Sequence, residues 1–490
     1  MRKFLWLAAG VLAFTGAVLV ANATRLPSRQ HPSGSSDVAP IEINEQGAVG
    51  RLSQAVRHRT VTVDTQASSG PGAFEGFRAF LNESYPLFSK NLPAEIPEPS
   101  DAGYSLLYTW RGRKPDLPPL ILVAHQDVVP ADDLTGWTHP PFDGVVADGA
   151  VWGRGTLDDK GALVSILEAS EALLAKGFTP ERTIYFAFGH NEEGGSGENG
   201  ATAIARVLEQ RGVRGATVLD EGGWIYDKVP GVTKHVALVG IAEKGYLSLQ
   251  LSVTSPGGHS SMPPPETAIA ILGRAVDAVE RHPMPARLDG ASAALFDFLA
   301  PEMNFGMKML FANRRLAQPL IVNQLAKQPA TNAAIRTTAA ATIIRGGDKE
   351  NVLSPSATAV VNFRLLPGDS ADAVIEHVTR AINDSRVKIS TYRGPGVSAS
   401  PVSSAMALPF ANLARAIRAV TPDVLVAPYL TLGGTDGRRY QPVAENIYRF
   451  TPIDQPGGTE LLHGPNEHLR IAAFTKAIQT YAAIIQALAR

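Results

Sequence analysis

A chain of 490 residues is longer than one ordinary hydrophobic core serves, so two or more domains are expected. A formal net charge of −1 carries none of the basic excess that a nucleic-acid footprint needs. The chain has no cysteine, which excludes disulfides, thiolate nucleophiles and sulfur-ligated zinc, so any metal must be held by His, Asp and Glu.

The first segment is read as a targeting element. Met1-Arg2-Lys3 is basic, and from Phe4 to Ala21 the chain is apolar apart from Thr15 and glycines. Ala21-Asn22-Ala23 has the small-x-small form of a cleavage site. The apolar run is also just long enough to span a bilayer. Residues 1–23 are therefore expected to be a cleaved signal, with an uncleaved membrane anchor as the alternative, and either exports the rest of the chain. Residues 24–45 form a linker; the part from Leu26 to Pro40 is rich in Ser, Pro and Gly.

Beyond the linker the pattern is α/β. Leu120–Ala124 is an apolar strand entering His125. Lys160–Lys176 has helical periodicity, with Leu163, Ile166, Leu167, Leu173 and Leu174 on one side and Gly177 as a stop. Thr183–Phe188 is a strand, Ala201–Gln210 a helix, and Thr217–Leu219 a strand ending at Asp220. This alternation predicts a mostly parallel sheet, in which ligands bind beyond the carboxyl ends of the strands. From Tyr246 to Val253 the apolar residues alternate with period two. With a strand over Ala359–Leu366 and helices over Glu266–Arg281 and Ala371–Ala381, this predicts an α+β lid inserted over residues 246–393. Pro283 to Gln328 fits that lid poorly and reads as a helical insertion. The catalytic domain is then discontinuous, with parts at 46–245 and 394–490.

Five acidic or imidazole clusters punctuate these elements: His125-Gln126-Asp127, Asp158-Asp159-Lys160, Glu192-Glu193, Asp220-Glu221 and His463. They supply enough hard oxygen and imidazole for two divalent metals and leave one carboxylate as a base, which is what metal-assisted amide hydrolysis requires. Asp158 follows a glycine-rich turn where a strand becomes a helix, so its carboxylate can bridge two cations or merely cap the helix. Glu192 and Glu193 are adjacent in a turn, where neighbouring side chains diverge, so one can bind metal while the other takes a proton from water. Asp127 either fixes the tautomer of His125 or orients a nearby ligand. His259, in Gly257-Gly258-His259-Ser260-Ser261, is a candidate oxyanion donor. The backbone N–H groups of Gly433-Gly434-Thr435, followed by Arg438, suit a carboxylate.

At these residues the sequence resembles the dinuclear-zinc metallopeptidase family of aminoacylases, carnosinase-like dipeptidases, carboxypeptidase G and carboxypeptidase S. The matching segments are 123–130, 152–161, 189–195, 218–223, 257–263, 331–338, 361–368 and 463–467. The branch most resembled is that of carboxypeptidase S and the N-fatty-acyl-amino-acid synthase/hydrolase. The resemblance implies two zinc ions per chain, with Asp158 as the bridge. His125 and either Asp220 or Glu221 would bind one ion, and Glu193 and His463 the other. Glu192 would be general base, Asp127 would support the site, and His259 on the lid would polarise the scissile carbonyl. Asn332, Gly434, Thr435 and Arg438 would contact the substrate, a small N-acyl amino acid or short peptide with a free carboxylate. Gly437 departs from the family, in which Ser or Thr is frequent. The implied reaction is hydrolysis, with the reverse N-acylation as runner-up and a non-catalytic metal-dependent binding protein as the alternative outside enzymes. Many members dimerise through the lid, and the insertion leaves the oligomeric state open.

Overall fold

The computed structural model of the protein describes residues 2–32, 38–63, 66–67, 71–97, 104–131, 135–194, 199–457 and 460–490. Part of the linker, and Gly195, Ser196 and Gly197 of the glutamate loop, lie outside the described residues.

A seven-stranded sheet organises the larger domain. Its strand order is Leu425–Thr431, Val236–Glu243, Ile447–Asp454, Thr217–Tyr226, Leu120–His125, Ile184–Gly189 and Leu106–Trp110. Leu120–His125 pairs in parallel with both of its neighbours, and Leu106–Trp110 is an antiparallel edge. Every residue of Leu120–His125 is buried. Alternation along the strand sends Leu120, Leu122 and Ala124 into one core and Ile121 and Val123 into another. The first core is closed by the helices Lys160–Ala175, Leu408–Val420 and Ile471–Leu488, the second by Ala201–Gln210. Each fully buried aliphatic side chain contributes roughly 1.5–3 kcal/mol relative to exposure. The central strands are therefore the most strongly held part of the molecule, and the residues at their ends inherit that rigidity.

The second unit is an antiparallel sheet in the order Thr338–Gly346, Ser356–Leu365, Gly245–Thr254 and Lys388–Thr391. Leu247, Leu249, Leu251 and Val253 point to one face, where they meet Ile271 and Leu272 of the helix Ala268–Arg281 and Val374 and Val378 of the helix Ala371–Ile382. The chain leaves the large sheet at Glu243 and returns past Val397, which exchanges backbone hydrogen bonds of 2.7 and 2.8 Å with Tyr246. Gly245 lies in this crossing, where an added Cβ would sit 2.5 Å from the Val397 carbonyl oxygen.

The insertion is helical, with Gly290–Leu299, Phe305–Ala312 and Arg314–Leu325, and Pro329–Ile335 follows it. Met284 at the start of the insertion belongs to the lid core, but Leu288, Phe298, Leu299, Met303, Phe311 and Ile321 join the core of the large domain. The sheet strands Thr338–Gly346, Val236–Glu243 and Leu106–Trp110 were not among the expected elements. Arg2–Thr24 is a continuous helix. Among the described residues, Ile471–Leu488 is the one helix long and apolar enough to cross a bilayer, and it is a core element, 67% buried; Gly10–Thr24 is a shorter apolar helical stretch.

Candidate metal centre and active site

The sheet brings the acidic clusters together. Leu120–His125 and Ile184–Gly189 are adjacent and parallel, so the residues at and just beyond their carboxyl ends meet in one place. The third strand, expected to end at Asp220, runs on to Tyr226, but it pairs with Leu120–His125 only over Thr217–Leu219, so Asp220 and Glu221 follow directly where that pairing ends. His125 ends the first strand and is 1% exposed. Its Nδ1 lies 3.0 Å from the Asp127 carbonyl oxygen, which accepts the N–H and leaves Nε2 facing the acids. Nε2 is 3.0 Å from Asp158 Oδ1 and 3.6 Å from Glu221 Oε1.

Asp158 stands between two imidazoles. Its other oxygen, Oδ2, is 3.1 Å from His463 Nε2, and that nitrogen is 3.2 Å from Glu193 Oε2. His125, Asp158 and Glu193 can offer ligand atoms within 4.8 Å of one another, and so can His125, Glu192 and Glu221. Asp158 does not cap the helix that follows. The N-cap position is occupied by Asp159, whose carboxylate instead accepts from the His125 backbone N–H at 3.2 Å.

Asp127 is fully buried and organises the glutamate turn: its two carboxylate oxygens accept the backbone N–H groups of Glu192 and Glu193 at 3.2 and 3.1 Å. Asp220 and Glu221 part company. Glu221 faces His125, whereas the Asp220 carboxylate accepts the Gly437 N–H on the other side. Adjacent strand residues point to opposite faces, and the register of Thr217–Tyr226 decides which acid faces the cluster. Gly437 leaves room for this contact, since an added Cβ would lie 2.9 Å from Asp220 Oδ2.

The remaining expected residues lie elsewhere. His259 is exposed on the lid, its Nδ1 2.8 Å from the Ser261 hydroxyl. The Thr435 N–H donates to Glu243 Oε2 at 2.7 Å, and Arg438 Nη2 donates to the Lys244 carbonyl at 2.8 Å and lies 3.3 Å from Glu243 Oε2. Gly434 packs against the same Glu243 carboxylate. This loop thus grips the hinge strand. Asn332 lies on Pro329–Ile335, whose Ala333 carbonyl accepts from Lys244 Nζ at 2.9 Å. Glu243 also pairs with the fully buried Arg449 at 2.5 Å.

Two residues that sequence reading gave no role tie the site together. Glu467 Oε1 accepts the backbone N–H groups of Leu157 and Asp158 at 2.8 and 3.3 Å. Its Oε2 accepts from Arg154 Nη1 at 2.5 Å, and Arg154 Nη2 donates to the His463 carbonyl at 3.0 Å. One buried pair thereby fixes both the Asp158 turn and the His463 loop. Burial pushes the Glu467 carboxyl up to about 7, against the pull of Arg154. The signal was present, since Arg154 and Glu467 lie inside the two motif segments, but nothing linear joins them. Arg154→Met strands Glu467 without its partner. The expected loss is about 3–5 kcal/mol of unfolding free energy, read by urea denaturation.

Electrostatics favour a cation. Burial, reinforced by neighbouring acids, pushes the Glu192 and Glu221 carboxyls well above the usual range. Burial opposes ionisation of Asp158 too, but the hydrogen bonds from His125 and His463 outweigh it and hold its carboxyl low. Hydrogen bonds to Asp158 and Glu193 raise the His463 imidazole to about 10. Burial opposes a charge on His125, yet Glu221, Asp127 and Asp158 together raise it well above its ordinary value. Protons thus stand where a divalent ion would serve the same carboxylates better. Glu193 Oε1 is buried with no hydrogen-bond partner among the described residues. An acceptor-only oxygen in that position, among imidazole nitrogens and carboxylates, fits a hard or borderline cation.

A rigid sheet presenting acids and imidazoles at its strand ends, crossed by a hinge to a lid, is the build of a metal-dependent hydrolase of amide bonds. Residues 121–487 match Peptidase family M20/M25/M40, and the chain belongs to that family. It is 39% identical over 484 residues to a probable carboxypeptidase S-like 2 of Dictyostelium discoideum, covering 96% of this chain and 91% of that one. It is 37% identical over 441 residues to the human N-fatty-acyl-amino acid synthase/hydrolase PM20D1, covering 89% and 86%. Among solved structures, the M20 metallo-carboxypeptidase Sso-CP2 of Sulfolobus solfataricus shares the fold with a TM-score of 0.62 at 16% identity, covering 91% of this chain and 100% of that one. Human carnosine dipeptidase 1 does so with a TM-score of 0.57 at 17% identity, covering 91% and 96%.

Proposed function

We propose that this enzyme cleaves the amide bond of N-acyl amino acids or short peptides with a free carboxylate, using two zinc ions. The observation that carries the reading is Asp158, one carboxylate with an imidazole at each oxygen. In this reading Asp158, His125 and Glu221 would hold one ion, and Asp158, Glu193 and His463 the other. When bound, the ions supply Lewis acidity toward the scissile carbonyl and make water a nucleophile at neutral pH. Glu192 takes the proton of the attacking water and passes it to the leaving amine nitrogen. Asp127 holds the Glu192-Glu193 turn in place through its two backbone hydrogen bonds and positions the base without touching substrate. His259 would donate to the developing oxyanion from the lid, and Asn332 and Arg438 would receive the substrate carboxylate, with Gly434 and Thr435 holding the loop that carries Arg438 through the Thr435 N–H to Glu243.

Hydrolysis and condensation are one reaction in two directions, so the same residues serve N-acylation when fatty acid and amino acid are abundant. A pure binding protein has no need of Glu192 beside the ligand set. A panel of N-acyl amino acids and dipeptides, assayed with and without chelator, tests the function. Turnover that falls with chelator and returns with zinc is expected, and elemental analysis of the active form should show about two equivalents. Full activity at one equivalent would refute the dinuclear reading.

For the N-terminus we propose export with residues 4–21 retained as an anchor. Ala23 is fully buried and Asn22 Nδ2 donates to Asn313 Oδ1 at 2.8 Å, so the cleavage-like Ala21-Asn22-Ala23 is packed on the body. Carbonate-washed membranes should retain the chain with residues 4–21 intact by mass spectrometry. A soluble form starting at Thr24 would establish cleavage instead.

A further inference from the structure

We propose that the insertion helix Arg314–Leu325 lies in the headgroup layer of a lipid bilayer and enters it through Leu316 and Leu320. The proposal rests on the retained N-terminal helix described above. Three observations carry it.

Leu316 and Leu320 are 76% and 62% exposed, and they are one turn apart on the same face. Asn313, which opens that helix, lies three residues before Leu316 and on the same stripe. Its Nδ2 donates to the Leu19 carbonyl at 3.0 Å, and its Oδ1 accepts from Asn22. The exposed leucines are therefore on the side of the insertion where the N-terminal helix is attached.

From Gly10 to Val18 that helix stands off the body. Every side chain from Gly10 to Val18 is exposed, including Leu12 and Phe14 at 73% and 72%. Leu19, Ala21 and Ala23 alone in this stretch are covered. At 1.5 Å per residue, the apolar run of residues 4–21 in this helix is about 27 Å long, close to the roughly 30 Å of a hydrocarbon core. If the exposed part lies in lipid, Leu19–Ala23 marks the interface. Asn313 is bonded there, and Leu316 and Leu320 follow within about 10 Å along their own axis. A helix at that depth buries an apolar face about 5–10 Å into the boundary.

Charge and area select lipid over protein. Arg315 is exposed beside Leu316, and Arg25 follows the N-terminal helix, both placed for the phosphates of lipid headgroups. Exposed Gln318, Asn323 and Gln324 flank the leucines, so the apolar patch is small. It falls short of the roughly 800 Å² per partner that a stable dimer covers.

The chain has no cysteine, so single cysteines report without background. Leu316→Cys, Leu320→Cys and a lid control, Ala373→Cys, are each labelled with an environment-sensitive fluorophore. The full-length chain is reconstituted into phosphatidylcholine vesicles containing phosphatidylglycerol and brominated acyl chains. The labels at 316 and 320 should lose most of their emission to the bromines, and the label at 373 none. Flotation of the vesicles reads the anchor separately. A chain that floats while 316 and 320 behave like 373 overturns the proposal and leaves the anchor standing. A chain that neither floats nor shows quenching overturns both. Labels shielded from water before lipid is added, with a dimer by sedimentation, would assign the face to a second copy and overturn the proposal.

Discussion

Glu192→Gln should keep the fold and full metal content yet lower turnover by about 10²–10⁴-fold. The amide is nearly isosteric with the carboxylate, so the backbone hydrogen bond from Glu192 to Asp127 and the shape of the turn survive. What is lost, in the proposed mechanism, is the ability to accept a proton, which the reaction needs for activating water and for protonating the amine. The larger end of the range is expected because one group serves both steps. KM should move far less than kcat, since no substrate contact is removed. Glu193→Gln is the internal comparison. It weakens a group whose Oε2 faces His463 and whose Oε1 has no partner among the described residues, so its loss should be partly restored by added zinc. Normal turnover of Glu192→Gln at full metal occupancy would remove Glu192 as base and send the search to Asp159.

Asp158→Ala should abolish activity and lower metal content at both positions together. No other carboxylate of the cluster has an imidazole nitrogen within hydrogen-bond distance of each of its oxygens. Without it the two halves of the site share no ligand, and the several kcal/mol of transition-state stabilisation that metal supplies are lost, about 10³-fold or more in rate. Dialysis followed by elemental analysis should show less than one equivalent. Excess zinc should not restore turnover, unlike Glu193→Gln. Loss of one equivalent with the other retained would show that Asp158 serves a single ion. Circular dichroism and urea unfolding check that the variant is folded; removing a charge from a crowded acidic cluster is not expected to unfold it.

Much of this was legible in the linear chain. Ala201–Gln210 has the same bounds in expectation and structure, because Ala201, Ile204, Ala205 and Leu208 repeat at helical spacing and are buried. Gly245–Thr254 was visible from its alternation, and the buried residues Leu247, Leu249, Leu251 and Val253 are its apolar set. The acid and imidazole clusters stood out because each follows an apolar run, and a parallel sheet collects strand ends by construction. Other elements gave no period to read. Val236–Glu243 is buried on both faces, so its apolar residues run on without alternation. Thr338–Gly346 is an alanine-rich edge strand, largely exposed, held by pairing with Ser356–Leu365.

Residue types and their order along the chain thus determined the α/β class, the inserted lid, the metal-suited donor set and the reaction class, because those depend on local periodicity and on which atoms are available. Tertiary structure decided the rest. Whether Asp220 or Glu221 faces His125 turns on strand register against Gly437, which no spacing encodes. Arg154 and Glu467 are more than three hundred positions apart and become partners only when the last part of the chain returns to the site. The helices of the insertion were expected near the lid, and they packed on the large domain because its core, not the lid's, offered the apolar surface that Phe298, Leu299 and Phe311 could cover.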